Sequence, residues 1–346
     1  MLNQQNQLEE KINALLNETK EKVDPIIKKI LNSYVKTKYR PLVEYQIFTG
    51  GKRLRPALTI LSYHLCGGKS KEILYPAAGL EILHVYSLII DDIIDESNLR
   101  RNQPTLWKKY GRSIAECIAI DYIASAFQTI NFSKFSKKLC DLFVKTAKIS
   151  VNGEILDLLL ETKRKKDEPY INQERYSLAT LKDYLEMVSL KTSTLTQTCC
   201  EVGGICANAN ENELKKLRKF GFYLGIGGQI RDDILDVFGK KEKFGKEIGH
   251  DIKEGKLGNI LIVMALEKSE KEKRKKILEI MKKKEPTQEE INKIIEIIKK
   301  ENIFSTAQKI GEGFIERAKS FLKDFPNNKW KELLFNLADF VVKRER

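Results

Sequence analysis

The sequence predicts an all-α protein. Three observations carry that reading: apolar residues recur at i, i+3, i+4 and i+7 almost throughout, no alternating run is long enough for a strand, and the eight prolines fall at or near segment starts. Helices are expected, in order, over 8–20, 25–38, 41–48, 55–66, 71–97, 113–131, 134–162, 174–206, 211–238, 251–267, 269–283, 287–300, 303–323 and 327–343. Pro25, Pro41, Pro56, Pro76, Pro104, Pro169, Pro286 and Pro326 mark the breaks, since proline suits a first helical turn and not an interior. The longest irregular stretches lie near 99–112, 163–173 and 239–250, and only 163–173 (KRKKDEPYINQ) resembles a linker. Apolar helices continue on both sides of it. The expected organisation is one domain over 1–346, a single-domain helical bundle with buried central helices and an N-terminal extension helix over 1–20.

Composition narrows the function. The chain has 346 residues, 42% hydrophobic and 32% charged, which excludes wholesale disorder. No apolar run approaches 18 residues, so no membrane span is expected, and the polar, acidic start is unlike a signal peptide. Six cysteines without a CxxC pair or zinc spacing fit a reducing cytoplasm. The net charge of +14 could serve nucleic acid, a membrane surface or an anionic small molecule. Much of it lies in stretches such as EKSEKEKRKKILEIMKKKEPTQEEINKIIEIIKKEN, where both signs interleave as on a solvated helix face. No nucleic-acid motif or aromatic interleaving accompanies it, so no nucleic-acid partner is expected.

The sharpest signal is DDIID, with Asp91, Asp92 and Asp95. Asp91 and Asp95 are four apart and share a helix face. Leu88, Ile89, Ile90, Ile93 and Ile94 leave that helix almost no polar face except the acids. Carboxylates on a buried helix are costly unless neutralised, and hard divalent cations with oxygen ligands neutralise them well. The pattern recurs in QIRDDILD, with Asp232, Asp233 and Asp236 at the same spacing beside Ile234, Leu235 and Val237. One such cluster could be a solvated acidic face. Two on apolar helices point to Mg²⁺ shared with substrate phosphates.

Basic loops supply the complement. GGKRLRP places Lys52, Arg53 and Arg55 between two glycines and a proline-started helix, as a phosphate cradle would. The P-loop pattern GxxxxGK[ST] is absent. Arg100 and Arg101 follow the first acidic cluster, and GKEIGHDIKEGK, with Lys246 and Lys256, follows the second. His84 lies seven residues before Asp91, two turns away on nearly the same face. Acid and base at one site imply a polyanion held both through metal and directly.

With these residues in place, the chain resembles the trans-isoprenyl diphosphate synthases, most closely the archaeal-type short-chain geranylgeranyl and farnesyl diphosphate synthases. The likeness runs from about residue 20 to the end of the sequence. It is carried by GGKRxRP, DDxxD followed by the Arg pair, Lys191–Thr192, QxxDDxxD and the downstream GK…GK, in order. The chain departs from the pattern at Gly228, where Phe is common, at Glu154, where Gln is usual, and at Asn102, where Gly is typical.

The resemblance implies an isoprenoid-synthase bundle with a deep central cavity. It also implies that Lys52, Arg55, His84 and Arg101 hold isopentenyl diphosphate. Asp91, Asp95 and Asp232 would ligate Mg²⁺, and Arg100, Lys191, Thr192, Gln229, Lys246 and Lys256 would contact the allylic diphosphate. It sets Tyr86, with Ser87 beside it, as the residue limiting product length, with Tyr122 and Phe127 on the next helix as alternative candidates. The implied partners are isopentenyl, dimethylallyl, geranyl and farnesyl diphosphates and a second copy in a cytoplasmic homodimer. Geranylgeranyl diphosphate is the expected product, with farnesyl or longer polyprenyl diphosphates as alternatives. A class I terpene cyclase would not need GGKRLRP and usually carries Asn, Ser and Glu in its second motif. A non-catalytic partner subunit would not need both acidic motifs intact.

Overall fold

The computed structural model describes residues 2–163, 167–239 and 249–344. Helix dominates it, as expected. The described chain divides into two compact units, Met1–Ala147 with Leu195–Gly221 and Lys319–Phe340, and Lys148–Thr194 with Phe222–Ala318 and Val341–Arg346.

In the first unit α1 (Leu2–Leu31), α2 (Arg40–Phe48) and α3 (Leu54–Leu65) precede the central helix α4 (Leu74–Ile94). A hairpin of β1 (Leu99–Arg100) and β2 (Gln103–Pro104) follows, then α5 (Leu106–Tyr110) and α6 (Arg112–Ile130). Helix α4 is buried along most of its length and receives α1, α3 and α6. Gly79 sets the α6 approach, because a Cβ there would come 2.1 Å from Thr129 Oγ1. Lys71–Ile94 is the one described stretch long and apolar enough to cross a membrane by length and composition. Its apolar window is 61% buried in the protein, so its hydrophobicity is spent on the core.

Pro25 does not break the chain. It lies inside α1, which runs unbroken through the expected gap between 20 and 25. Pro25 and Glu21, the residue whose carbonyl loses its helical partner, are both exposed, so water can satisfy that carbonyl and the penalty is small.

The second unit takes the C-terminal part of α7 (Ser136–Leu159), then α8 (Pro169–Glu174) and α9 (Leu181–Val188). A π-helical turn, Ser189–Ser193, leads into α10 (Thr194–Cys206). The single helix expected over 174–206 therefore starts at Leu181, behind a capping box of Thr180 and Asp183, and carries a π segment. Next come α11 (Glu211–Phe238), α12 (His250–Glu254), α13 (Ile260–Lys268), α14 (Lys271–Met281), α15 (Gln288–Lys300) and α16 (Ile303–Ser320). Ile260 to Leu266 of α13 are all buried, and α9, α14 and α15 pack around that helix. The last helix, α17 (Lys329–Lys343), begins in the first unit and ends in the second. All six cysteines are free thiols.

Candidate active site

The first unit assembles the first acidic cluster and the basic loop. Asp91 and Asp92 close α4, and Asp95 caps it, its N–H donating to the Asp91 carbonyl at 2.9 Å. Asp92 is buried and belongs to Arg100: Nε donates to its two oxygens at 2.8 and 2.9 Å, and Nη2 lies 2.7 Å from Oδ1. The same Nη2 reaches Asp91 Oδ2 at 3.1 Å. Burial opposes the Arg100 charge, but the carboxylates outweigh it and raise its pKa.

The hairpin that carries Arg100 turns on Arg101 and Asn102, with φ of 54° and 60°. Two consecutive left-handed residues make the turn that joins two-residue hairpins, and asparagine tolerates that conformation. The Asn102 departure therefore costs little. The turn lays Arg101 across Gly50 and Gly51. A Cβ on Gly51 would lie 2.8 Å from Nη1 of both Arg53 and Arg101, so the glycine pair makes room for two guanidiniums.

His84 faces this crowd. Burial first, then Arg55, Arg101, Arg100 and Arg53, push its pKa well below the usual imidazole range, so it is a neutral hydrogen-bonding group. Arg101 is depressed likewise, by burial and by Arg100, Arg53 and Arg55, with Glu81 opposing. Lys52 is exposed, with Nζ 5.2 Å from the centre of the Phe340 ring. Arg53 corrects the reading of GGKRLRP. Its φ of 56° turns it inward, its side chain is fully buried, and it bonds Asp24, Glu81 and the Gly50 and Ile47 carbonyls. It braces the loop and does not belong to the cradle. Tyr86 is half-buried, and the exposed Ser87 hydroxyl is donated to the His84 carbonyl at 2.7 Å.

The second unit holds the other set. Lys191 stands on the π turn, with Nζ 2.9 Å from Glu154 and 2.6 Å from Asp157. A Cβ on Gly153 would meet the Lys191 nitrogen at 2.3 Å, so glycine alone lets α7 approach that turn. Thr192 Oγ1 donates to Gln229 Oε1 at 3.0 Å, and Gln229 Nε2 donates to Asp233 Oδ1 at 2.9 Å. Asp233 also accepts the Ile260 N–H at 3.0 Å. Burial first, and the Asp251 charge second, push the Asp233 carboxyl up to about 8, with the Tyr184 hydroxyl facing it. Asp233 is an anchor between α11 and the start of α13.

Asp232 points elsewhere on α11 and pairs with Arg344 at 2.6 Å. Asp236, His250 and Asp251 bring one ligand atom each within 4.8 Å of one another. The backbone of Lys256 is fixed by the Asp251 carbonyl at 2.9 Å and by an antiparallel bridge to Glu161. Lys246 lies outside the described residues. Sequence reasoning missed Asp157, Tyr184 and Arg344. Asp157 had a signal, since GEILD puts it three residues after Glu154 on an apolar helix. Arg344 had none.

Comparison with known proteins identifies the family. Residues 36–298 match the family "Polyprenyl synthetase". A geranylgeranyl diphosphate synthase of Sulfolobus acidocaldarius is 34% identical over 271 residues, covering 76% of this chain and 77% of that protein. The octaprenyl diphosphate synthase of Escherichia coli is 27% identical, covering 97% and 99%. Among solved structures, a polyprenyl synthase from Caulobacter crescentus complexed with calcium and isoprenyl diphosphate superposes with a TM-score of 0.86 at 26% identity, covering 97% and 98%.

Proposed function

The chain belongs to the polyprenyl synthetase family of prenyl-transferring enzymes, and from that premise we propose that it condenses isopentenyl diphosphate head-to-tail with allylic diphosphates, using Mg²⁺, and releases geranylgeranyl diphosphate. The observation that carries the reading is the crowd of guanidiniums around His84, set beside the Asp91–Asp95 stripe on one helix. Such a crowd is held at a cost in repulsion that a bound polyanion relieves.

Asp91 and Asp232 are part-exposed carboxylates, 19% and 45%, and each already bonds a cationic side chain. Hard carboxylate oxygen donors suit Mg²⁺, so Asp91 and Asp95 would hold it, and so would Asp232. Bound there, Mg²⁺ would supply charge neutralisation to a departing diphosphate. The remaining work falls to side chains. Lys52, Arg55, Arg101 and neutral His84 would seat isopentenyl diphosphate. Arg100, Lys191, Thr192, Gln229, Lys246 and Lys256 would orient the allylic diphosphate.

The allylic C–O bond then breaks with its electron pair on the leaving diphosphate. The isopentenyl double bond attacks the allylic carbon, and the proton lost from the new unit goes to the released diphosphate. Apolar helix faces would exclude water from the cation.

The C20 product is supported by the Sulfolobus relative's name and by Tyr86; the octaprenyl relative shows that membership alone does not fix length. A cytoplasmic homodimer is part of the proposal. On α6, Ile120 is 69% exposed and Ile114 38%, apolar side chains that a second copy would cover. The test is an assay with isopentenyl diphosphate, each allylic primer in turn and Mg²⁺, followed by dephosphorylation and chromatography. C20 alcohol that vanishes with chelator is the expected result. No elongation of any primer would overturn the reading.

A further inference from the structure

Residue 344 is gripped twice by α11. Its guanidinium Nη2 donates to Asp232 Oδ1 at 2.6 Å. Its carbonyl accepts two bonds from Arg231, from Nε at 2.8 Å and from Nη2 at 2.6 Å. Neighbours on one helix thus hold the backbone and the side chain of the same distant residue. One turn earlier, Val341 lies against Gly228, where a Cβ would come 3.0 Å from Val341 Cγ1. Gly228 and Asp232 are four apart, so one stripe of α11 receives Val341 and then Arg344. The Gly228 departure acquires a reason: a phenylalanine at that position would occupy the space that Val341 takes. The Arg344 side chain is 17% exposed, and its Nε is buried without a hydrogen-bond partner, which marks a seated group and not a waving one.

We propose that Arg344 is a built-in counter-ion for Asp232, which a divalent cation must displace before that carboxylate can ligate it, so that Arg344 sets the metal affinity of the second acidic cluster. The inference rests on the reading of Asp232 as a metal ligand. A guanidinium at 2.6 Å and a metal ion compete for the same lone pairs of Oδ1, and two cations at one carboxylate repel each other. Arg100 plays a comparable part at Asp91, but it comes from the loop directly after its motif, whereas Arg344 arrives from 112 positions away. Metal loading of the second cluster is thereby coupled to how Arg344 is seated.

The test uses Mn²⁺ as an EPR-visible probe, titrated into the metal-stripped full chain without substrate. Wild type, Arg344→Ala, Arg344→Gln, Asp232→Ala and the Asp232→Ala/Arg344→Ala double variant are compared. Removing the guanidinium is expected to tighten one Mn²⁺ site by about threefold or more, the range of a part-exposed ion pair. That gain is expected in both Arg344 variants and is expected to vanish on the Asp232→Ala background. Unchanged or weaker Mn²⁺ binding in the Arg344 variants overturns the proposal while leaving the metal reading intact. Absence of any Mn²⁺ binding to the wild type overturns the metal reading, and this inference with it.

Discussion

The buried guanidinium of Arg53 is joined to Asp24 by two parallel bonds, Nε to Oδ1 at 2.6 Å and Nη2 to Oδ2 at 3.2 Å. Asp24 sits on α1 directly before the exposed Pro25, so the pair ties the first helix to the start of α3. Removing one partner of a buried pair leaves an uncompensated charge. Asp24→Asn is expected to destabilise the protein by about 3 kcal/mol, read by chemical denaturation, with Glu81 preventing complete unfolding. A loss below about 0.5 kcal/mol would show the pair to be idle.

Lys191 carries two carboxylates, one of them Glu154 at the position where Gln is usual in the family pattern. Glu154→Gln leaves the 2.6 Å bond to Asp157 and frees half of the ammonium's charge for an anion. The expected outcome is a KM for the allylic diphosphate several-fold lower, with kcat and thermal stability nearly unchanged. A raised KM would mean that Glu154 positions Lys191 and does not restrain it.

How much of this was legible in the sequence follows from range. The acidic clusters were readable because two carboxylates four apart on an apolar helix form a local pattern. The helices were readable for the same reason, apart from the break expected at Pro25 and the single helix expected over 174–206, whose start is set by the Thr180 cap. Arg53 and Arg55 look alike in GGKRLRP, and only the left-handed backbone at Arg53 sends one inward. The Lys191 clamp spans 34 positions and the Arg344 contact 112, distances at which periodicity carries no information.

Arg100 and Arg101 are adjacent but differently occupied, so conservative replacement should separate them. Arg101→Lys exchanges a fork for a point charge in the crowd around His84, and is expected to raise the KM for isopentenyl diphosphate about tenfold or more. Arg100→Lys cannot span Asp91 and Asp92 together. It should impair use of the allylic diphosphate and also lower stability, because Asp92 is buried. Identical kinetic defects, with equal stability, would remove the division of labour.

Asp233 gives a pH prediction whose sign is fixed. Its carboxyl titrates near 3.8 when unfolded and is pushed up to about 8 in the folded protein. Between those values the folded state holds a proton that the unfolded state releases, so its contribution to stability falls as pH rises from about 4 to about 8 and is level above that. Asp233→Asn fixes the neutral form. In chelator, the difference in stability between variant and wild type should grow in the variant's favour across that window. A difference independent of pH would place Asp233 in the folded protein as an ordinary ionised carboxylate.

Product length is the last test, and the structure narrows its candidates. Tyr122 is fully buried, with its hydroxyl donated to the Val43 carbonyl at 2.6 Å, and Phe127 lies edge-on to Phe143. Both are committed to the packing of the first unit. Ser87 is exposed and too small to block a chain. Tyr86 remains: it is half-buried and lies about 7.5 Å before Asp91 along α4 at 1.5 Å per residue. Burial raises its phenol pKa. Truncating a wall opens volume that a further five-carbon unit can fill, whereas truncating a packed core residue mainly destabilises. Tyr86→Ala is therefore expected to shift the main product from C20 to C25 or longer, read by chromatography of the dephosphorylated alcohols. An unchanged C20 product from a less stable enzyme would assign Tyr86 to the core, and a wild-type product of C30 or above would discard the short-chain assignment altogether.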